Sequence, residues 1–218
     1  DQLGPYRDIP APDVNTDAQV MAWIMDEFSD INGYSPAVVT GKPLALGGAP
    51  GRESATGLGC VFVLEAFLEA NHLDLIGKRV VIQGFGNVGR HMAWELFRRG
   101  AKVTAVSDVS GGVFNPGGLD IPQLSDHVRS GKLLDTADEG DHVTNDQLLG
   151  LGCDILAPAA LGEVFTGANA ASINARVVLE AANYPVTPSG DVALRERGVT
   201  VIPDVLANAG GVTGSYFE

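Results

Sequence analysis

The stretch VVIQGFGNVGRHMAWELFRRG, Val80 to Gly100, constrains the fold of this chain more than any other. Gly84, Gly86 and Gly89 stand in G-x-G-x-x-G spacing, directly after a short apolar run and at the opening of a helical pattern. Each glycine has a separate physical use. The first makes the turn, the second lets backbone approach a pyrophosphate, and the third lets the helix pack close to the strand. A helix that opens there aims its unpaired N–H groups and positive dipole end at a phosphate. With 28 glycines in the chain the spacing alone is a weak signal, equally met by a tight strand-to-helix corner, so its context decides.

The context is an alternation of short apolar runs and helix-length segments. Strands are expected at Val80 to Gln83, Val103 to Ser107, Asp154 to Ala157, Val177 to Glu180 and Val199 to Ile202. Helices are expected at Asn87 to Arg99, Ile121 to Arg129 after Asp120, a short one capped by Thr144 and Gln147, and others near Asn169 to Asn174 and Asp191 to Arg197. Near-continuous apolar strands are strands buried on both faces, so the fold class is α/β, a doubly wound parallel sheet of Rossmann type. Upstream, Thr16 with Gln19 reads as a capping box for a helix carrying Val20, Ile24, Phe28 and Ile31 and stopped by Gly33. Residues 35–52 read as a structured loop, and a second helix runs from about Ser54 to Asn71. This gives residues 1–34 as an interdomain segment with its helix, and 35–218 as the dinucleotide-binding domain.

Asp108 ends the second strand 24 positions after Gly84, near the spacing expected of a carboxylate that accepts from ribose hydroxyls. No Lys or Arg lies between Asp108 and Leu119 to pair with a 2′-phosphate, which favours NAD, with NADP as the alternative. The net charge of -13 argues against a nucleic-acid or anionic-membrane partner, since phosphate binding draws on clustered cations. There is no leader pattern at the start and no apolar run of membrane-spanning length, so the chain reads as soluble and cytoplasmic. Cys60 and Cys153 lie far apart in apolar surroundings and read as buried free thiols, with no metal site. His72, His91, His127 and His142 share no short spacing and are expected at the surface, on or beside helices. No G-x-S-x-G elbow supports serine-hydrolase chemistry.

Several further residues have two readings. Asp13, between Pro12 and the first helix, is a proton-transfer group if it faces a cleft, and otherwise an ordinary turn aspartate. Arg52 and Thr56, where a loop feeds the second helix, line a cofactor pocket or cap that helix. Asn183 follows the strand that ends near Glu180. Asn208 is expected in a glycine-rich loop after Ile202, with Ser215 on the helix that follows. These sit where open parallel sheets bind ligands, at the carboxyl ends of strands, but turn asparagines that satisfy backbone look the same.

Taken together, PAPDVNTDAQVMAWIMDEFS, TGKPLALGG, GRESATGLG, VVIQGFGNVG, CDILAPAAL, EAANYPVTP and IPDVLANAGGVTGSYFE resemble glutamate dehydrogenase, over essentially the whole chain. PAPDV and SYFE separate it from the related leucine, phenylalanine and valine enzymes. The resemblance implies oxidative deamination of L-glutamate to 2-oxoglutarate and ammonium with hydride transfer to NAD or NADP, in a homo-hexamer. It matches Asp13 to the catalytic aspartate, and Thr56, Gly84, Phe85, Gly86, Asn87, Val88, Gly89, Asp108, Asn183 and Asn208 to the cofactor side. Ser215 matches the serine that contacts the substrate side-chain carboxylate.

Asn15 and Tyr184 stand where the family usually has Gly, and Gly214 where it commonly has an apolar residue. The family's glycine-rich, lysine-bearing substrate segment does not precede Asp1, and its closing helices do not follow Glu218. The expectation is therefore the interior of a longer protein, inactive as this piece because the lysine charge that stabilises the reacting centre is missing. The rival readings are another amino-acid dehydrogenase of the same superfamily, and a nonenzymatic dinucleotide-binding regulator.

Overall fold

The structure is a computed structural model that describes residues 2–13 and 15–218; Asp1 and Val14, both within the expected 1–34 segment, lie outside the described residues. It forms two compact units. One comprises Asp1–Ala55 with Gly210–Glu218, the other Thr56–Ala209.

The larger unit is a seven-stranded mixed sheet with helices on both faces. In chain order it holds α2 (Ala55–Ala70), β1 (Arg79–Gln83), α3 (Asn87–Arg98), β2 (Lys102–Asp108), β3 (Gly111–Phe114), α4 (Ile121–Arg129), β4 (Asp141–Val143), α5 (Asn145–Leu149), β5 (Ile155–Pro158), β6 (Val177–Leu179), α6 (Pro188–Glu196), β7 (Thr200–Ile202) and α7 (Asp204–Ala207). The strand order is β4-β3-β2-β1-β5-β6-β7. The five strands expected from the sequence are the parallel part, β2-β1-β5-β6-β7. Two further strands extend it antiparallel.

Alternate side chains of β1 split between two cores, as a strand covered on both faces requires. Val80 and Ile82 join Met92 and Leu96 of α3, Leu64 of α2 and Leu124 of α4 on one face. Val81 joins Leu148 of α5 and Leu194 of α6 on the other. Each such fully buried aliphatic side chain contributes roughly 2 kcal/mol.

Four local expectations are corrected. The first helix, α1 (Ala18–Asn32), is capped by Asp17, whose carboxylate accepts from Val20 N, and not by Thr16. Thr16 Oγ1 is already engaged with the backbone of Asp13, accepting from its N–H at 2.6 Å. The Asn169–Asn174 helix is only a 3₁₀ turn at Ala170–Ser172, where Asn169 accepts from Thr166 N instead of starting a longer helix. The loop expected around Asn208 to Gly211 is reduced to the single turn residue Asn208 between α7 and α8 (Ala209–Phe217), and Ser215 lies in the last turn of α8 and not at its start. His91 is half-buried on α3 and not a fully exposed surface residue, whereas His142 is exposed on β4, just before α5.

The smaller unit has its own core of Met21, Met25, Val38 and Val39, with Val20, Ile24 and Phe28 packed on it. Both cysteines are buried free thiols, and burial pushes each up to about 12. Among the described residues no helix is long and apolar enough to cross a membrane, and no cluster of His, Cys, Asp and Glu could hold a metal ion.

Candidate functional site

β1 is flanked by β2 on one side and β5 on the other, so the chain reverses its direction of progress across the sheet at β1 and β5. Open sheets bind ligands outside the carboxyl ends of their strands at such a switch point. The glycine turn follows β1 there. Gly84 has φ +96° and sits against the turn that leaves β5: a methyl group added to it would come within 2.8 Å of Ala160 Cβ. At Gly89 the added carbon would lie 1.8 Å from the carbonyl oxygen of Gly84, so helix and turn are in backbone contact.

Gly86 differs from both. It is the N-cap of α3, no side chain caps that end, and an added methyl group would meet nothing within 4 Å. Open space over an uncapped helix N-terminus is the cradle a pyrophosphate needs. Phe85 is buried beneath the turn in the core and Val88 packs against that core, whereas Asn87 is exposed. Thr56 lies in the first turn of α2. Its neighbour Gly57 approaches α3 so closely that an added carbon would be 2.7 Å from Val88 O.

Asp108 ends β2 with its carboxylate already hydrogen-bonded. Oδ1 accepts from Ser110 N at 2.8 Å and Ser110 Oγ at 2.5 Å, and Oδ2 accepts from Leu134 N at 2.8 Å. A carboxylate has about four acceptor positions, so capacity remains on Oδ2. Asn183 and Asn208 meet each other: Asn208 Nδ2 donates to Asn183 Oδ1 at 2.8 Å, across the segments that leave β6 and β7. The glycine turn, Thr56, Asp108 and the asparagine pair thus all belong to the larger unit.

Asp13 and Ser215 belong to the smaller unit. Asp13 is exposed, and the Pro10–Asp13 stretch lies against residues 40–41: Thr40 N donates to Pro10 O at 2.9 Å, and Gly41 has no room for a side chain beside Pro12. Thr40 Oγ1 is buried there without a hydrogen-bond partner among the described residues. The next residue, Lys42, is buried and paired with Glu218 at 2.7 Å. Glu218 also accepts from Gly41 N and Lys42 N. Burial would raise the Glu218 carboxyl, but the Lys42 ammonium and the N–H groups of Gly41, Ala49 and Lys42 outweigh it and hold the carboxyl below its usual value. One turn earlier on α8, Ser215 Oγ accepts from Arg52 Nε at 2.7 Å. A hydroxyl that accepts from a guanidinium keeps its own proton to donate to an anion.

The sequence marks Arg52 only as a loop residue of two readings, and Thr40, Lys42 and Glu218 only as letters of the TGKPLALGG and SYFE stretches, with no role assigned. Their signals are long-range pairings, Arg52 with Ser215 and Lys42 with Glu218, that no local spacing encodes.

A mixed α/β sheet with a glycine turn at its switch point defines a dinucleotide-binding type of fold. Comparison with known proteins narrows this. The Glutamate/Leucine/Phenylalanine/Valine dehydrogenase profile matches residues 47–218, and the profile of that family's dimerisation domain matches residues 1–30. The chain belongs to the Glu/Leu/Phe/Val dehydrogenase family. It is 49% identical over 217 residues to the catabolic NAD-specific glutamate dehydrogenase RocG of Bacillus subtilis, covering 99% of this chain and 51% of that one. It superposes on the hetero-hexameric glutamate dehydrogenase of Thermus thermophilus in its Leu-bound form with TM-score 0.91 and 41% identity, again over 99% and 51% of the two chains. The glutamate dehydrogenase of Peptoniphilus asaccharolyticus gives TM-score 0.79 at 38% identity over the same shares. The chain spans about half the length of the relatives it matches.

Proposed function

We propose that the chain is the cofactor-binding part of a glutamate dehydrogenase, which deaminates L-glutamate oxidatively to 2-oxoglutarate and ammonium. The observation that carries this reading is the glycine turn, closed at Gly84 and Gly89 but open over Gly86, in a chain 49% identical to RocG. The open cradle and uncapped helix end fit a nicotinamide dinucleotide, which when bound accepts a hydride from the substrate carbon. Gly86, Asn87 and Val88 would hold the pyrophosphate with backbone N–H groups, and Phe85, buried under the turn, keeps the turn in place. Thr56, Asn183 and Asn208 would line the cofactor side of the site.

The free acceptor position of Asp108 takes a ribose hydroxyl, and its negative charge disfavours a 2′-phosphate. With the NAD-specific relative, this favours NAD over NADP. Asp13 shuttles protons to and from the amine and the attacking water. Ser215, held by Arg52, donates a hydrogen bond to the substrate side-chain carboxylate. The complete protein works in the cytoplasm as a homo-hexamer, without a nucleic-acid or membrane partner.

The test uses the complete polypeptide. Asp13→Asn keeps the shape of the side chain and removes its proton-transfer capacity, so kcat for glutamate oxidation falls by about 10² to 10⁴-fold while NAD binding is unchanged. Activity equal to wild type would remove Asp13 from the proton transfer, and no glutamate oxidation by the unsubstituted polypeptide would leave a nonenzymatic regulator as the better reading. Faster turnover of leucine than of glutamate would move the substrate assignment within the family.

A further inference from the structure

The acid at Glu180 has no part in the chemistry above, yet it is the most deeply buried acid at the carboxyl edge of the sheet. It follows β6, is 6% exposed, and accepts from Asp204 N at 2.8 Å with Oε2. The N–H of Val186, on the same loop, favours its charged form. Asp204 continues the connection, accepting from Tyr184 N at 2.7 Å through Oδ2 and from Val205 N at 2.6 Å through Oδ1. Two segments that leave the sheet are thereby joined by carboxylates, the loop of residues 180–187 after β6 and α7 with its capping residues Pro203 and Asn208 after β7.

Asn183 on the loop and Asn208 at the C-cap of α7 close the same bridge with their 2.8 Å hydrogen bond. Asn208 Nδ2 also reaches Ala182 O, at 3.4 Å. We propose that Glu180 and Asp204 are positioning residues for the cofactor site, fixing the separation of the Asn183 loop and the Asn208 end of α7 so that both amides meet the dinucleotide together. This rests on the reading above that the asparagine pair faces the cofactor.

The chemistry requires a carboxylate at Asp204. Tyr184 N points at Oδ2 and Val205 N at Oδ1, and only a carboxylate presents acceptors on both oxygens; an asparagine turns an NH₂ toward one of them. At Glu180, whose Oε2 accepts from Asp204 N, a glutamine puts an NH₂ in place of one carboxylate oxygen. Holding an acid there is costly. Burial, with the charges of Asp204 and Asp191, raises the Glu180 carboxyl, and the N–H groups of Asp204 and Val186 only partly oppose this. A buried acid kept against that cost is the kind of group that fixes geometry where an apolar residue would pack as well.

The experiment compares Glu180→Gln, Asp204→Asn and Asn208→Ala in the complete polypeptide, with NAD and glutamate each varied. Asp204 is only half-buried, so Asp204→Asn carries the test if Glu180→Gln folds poorly. The expected result is a KM for NAD raised about fivefold by each carboxylate variant, with kcat and the KM for glutamate within about twofold of wild type, the pattern of lost uniform binding. If Asn208→Ala raises the KM for NAD and neither carboxylate variant does, the positioning role is overturned and the cofactor reading stands. If Asn208→Ala has no effect, the cofactor reading of this pair falls first and takes the inference with it. A fall in kcat at unchanged KM, which a smaller folded fraction would give, also overturns it.

Discussion

Arg52 Nε donates to Ser215 Oγ at 2.7 Å, joining the loop that leads into α2 to the helix α8. Gly214, beside Ser215, makes room for that approach, since an added carbon would lie 3.0 Å from Arg52 Cδ. The bond commits a serine lone pair and leaves the serine proton for an anionic partner. Ser215→Ala should therefore raise the KM for glutamate in the complete polypeptide by roughly 10 to 100-fold, the size of a lost hydrogen bond to a charged group. The KM for NAD should not move. Steady-state kinetics with each substrate varied checks both halves.

The glycine turn separates packing from ligand binding at two positions three residues apart. Gly89→Ala forces a carbon into the Gly84 carbonyl and should destabilise the fold by about 3 kcal/mol or more, with a matching fall in Tm. Gly86→Val meets open space, so Tm should stay within a degree or two by ordinary surface behaviour. Its side chain occupies the phosphate position, so NAD affinity should fall at least tenfold. Thermal unfolding with and without NAD distinguishes the two variants. A Gly86→Val protein that binds NAD like wild type would mean the turn is only a corner.

The parallel strands were legible because strands buried on both faces leave continuous apolar runs such as Val80 to Ile82. β3 was not legible, because Gly111 and Gly112 read as turn residues. Their real role is close approach, since a carbon on Gly112 would lie 2.8 Å from Val106 O. β4 is three residues long with exposed Asp141 and His142, an edge strand without an apolar signature. The capping box at Thr144 and Gln147 forms as its spacing indicates. The same pattern at Thr16 loses to a competing turn with Asp13. In the candidate site, the glycine turn and the strand-end residues are local patterns. The Arg52, Lys42 and Glu180 pairings join residues 24 to 176 positions apart, and only folding brings them together.

The Lys42–Glu218 pair is withdrawn from solvent, with side chains 1% and 0% exposed. Removing one partner of such a pair leaves a buried charge, so Lys42→Met should cost about 3–5 kcal/mol at neutral pH. The pH dependence follows from the depressed Glu218 carboxyl. A group held below its unfolded value stabilises above that value and loses the contribution as pH falls through the folded one. The gap between wild type and Lys42→Met should thus hold constant at neutral pH and narrow as pH falls, first as Glu218 takes up a proton in the variant, where the Lys42 charge no longer holds it down, and until it does so in wild type. Urea titrations from pH 7 to pH 3 measure the gap directly.

Tyr184 has φ +49°, a left-handed conformation that a tyrosine adopts only against the clash of its Cβ with the following carbonyl, about 1–2 kcal/mol. Its side chain is 48% exposed, so little burial is lost on removing it. What holds the backbone there is the hydrogen bond from Tyr184 N to Asp204 Oδ2, which any residue with an N–H can make. Tyr184→Gly keeps that bond and removes the strain, while adding freedom to the unfolded chain that offsets part of the gain. The expected net effect is a stabilisation of about 0.5–1 kcal/mol, read as a rise in the denaturant midpoint at unchanged slope. Tyr184→Ala, which keeps the Cβ, should give no such gain, and equal midpoints for the two variants would show that the backbone at this position is not strained.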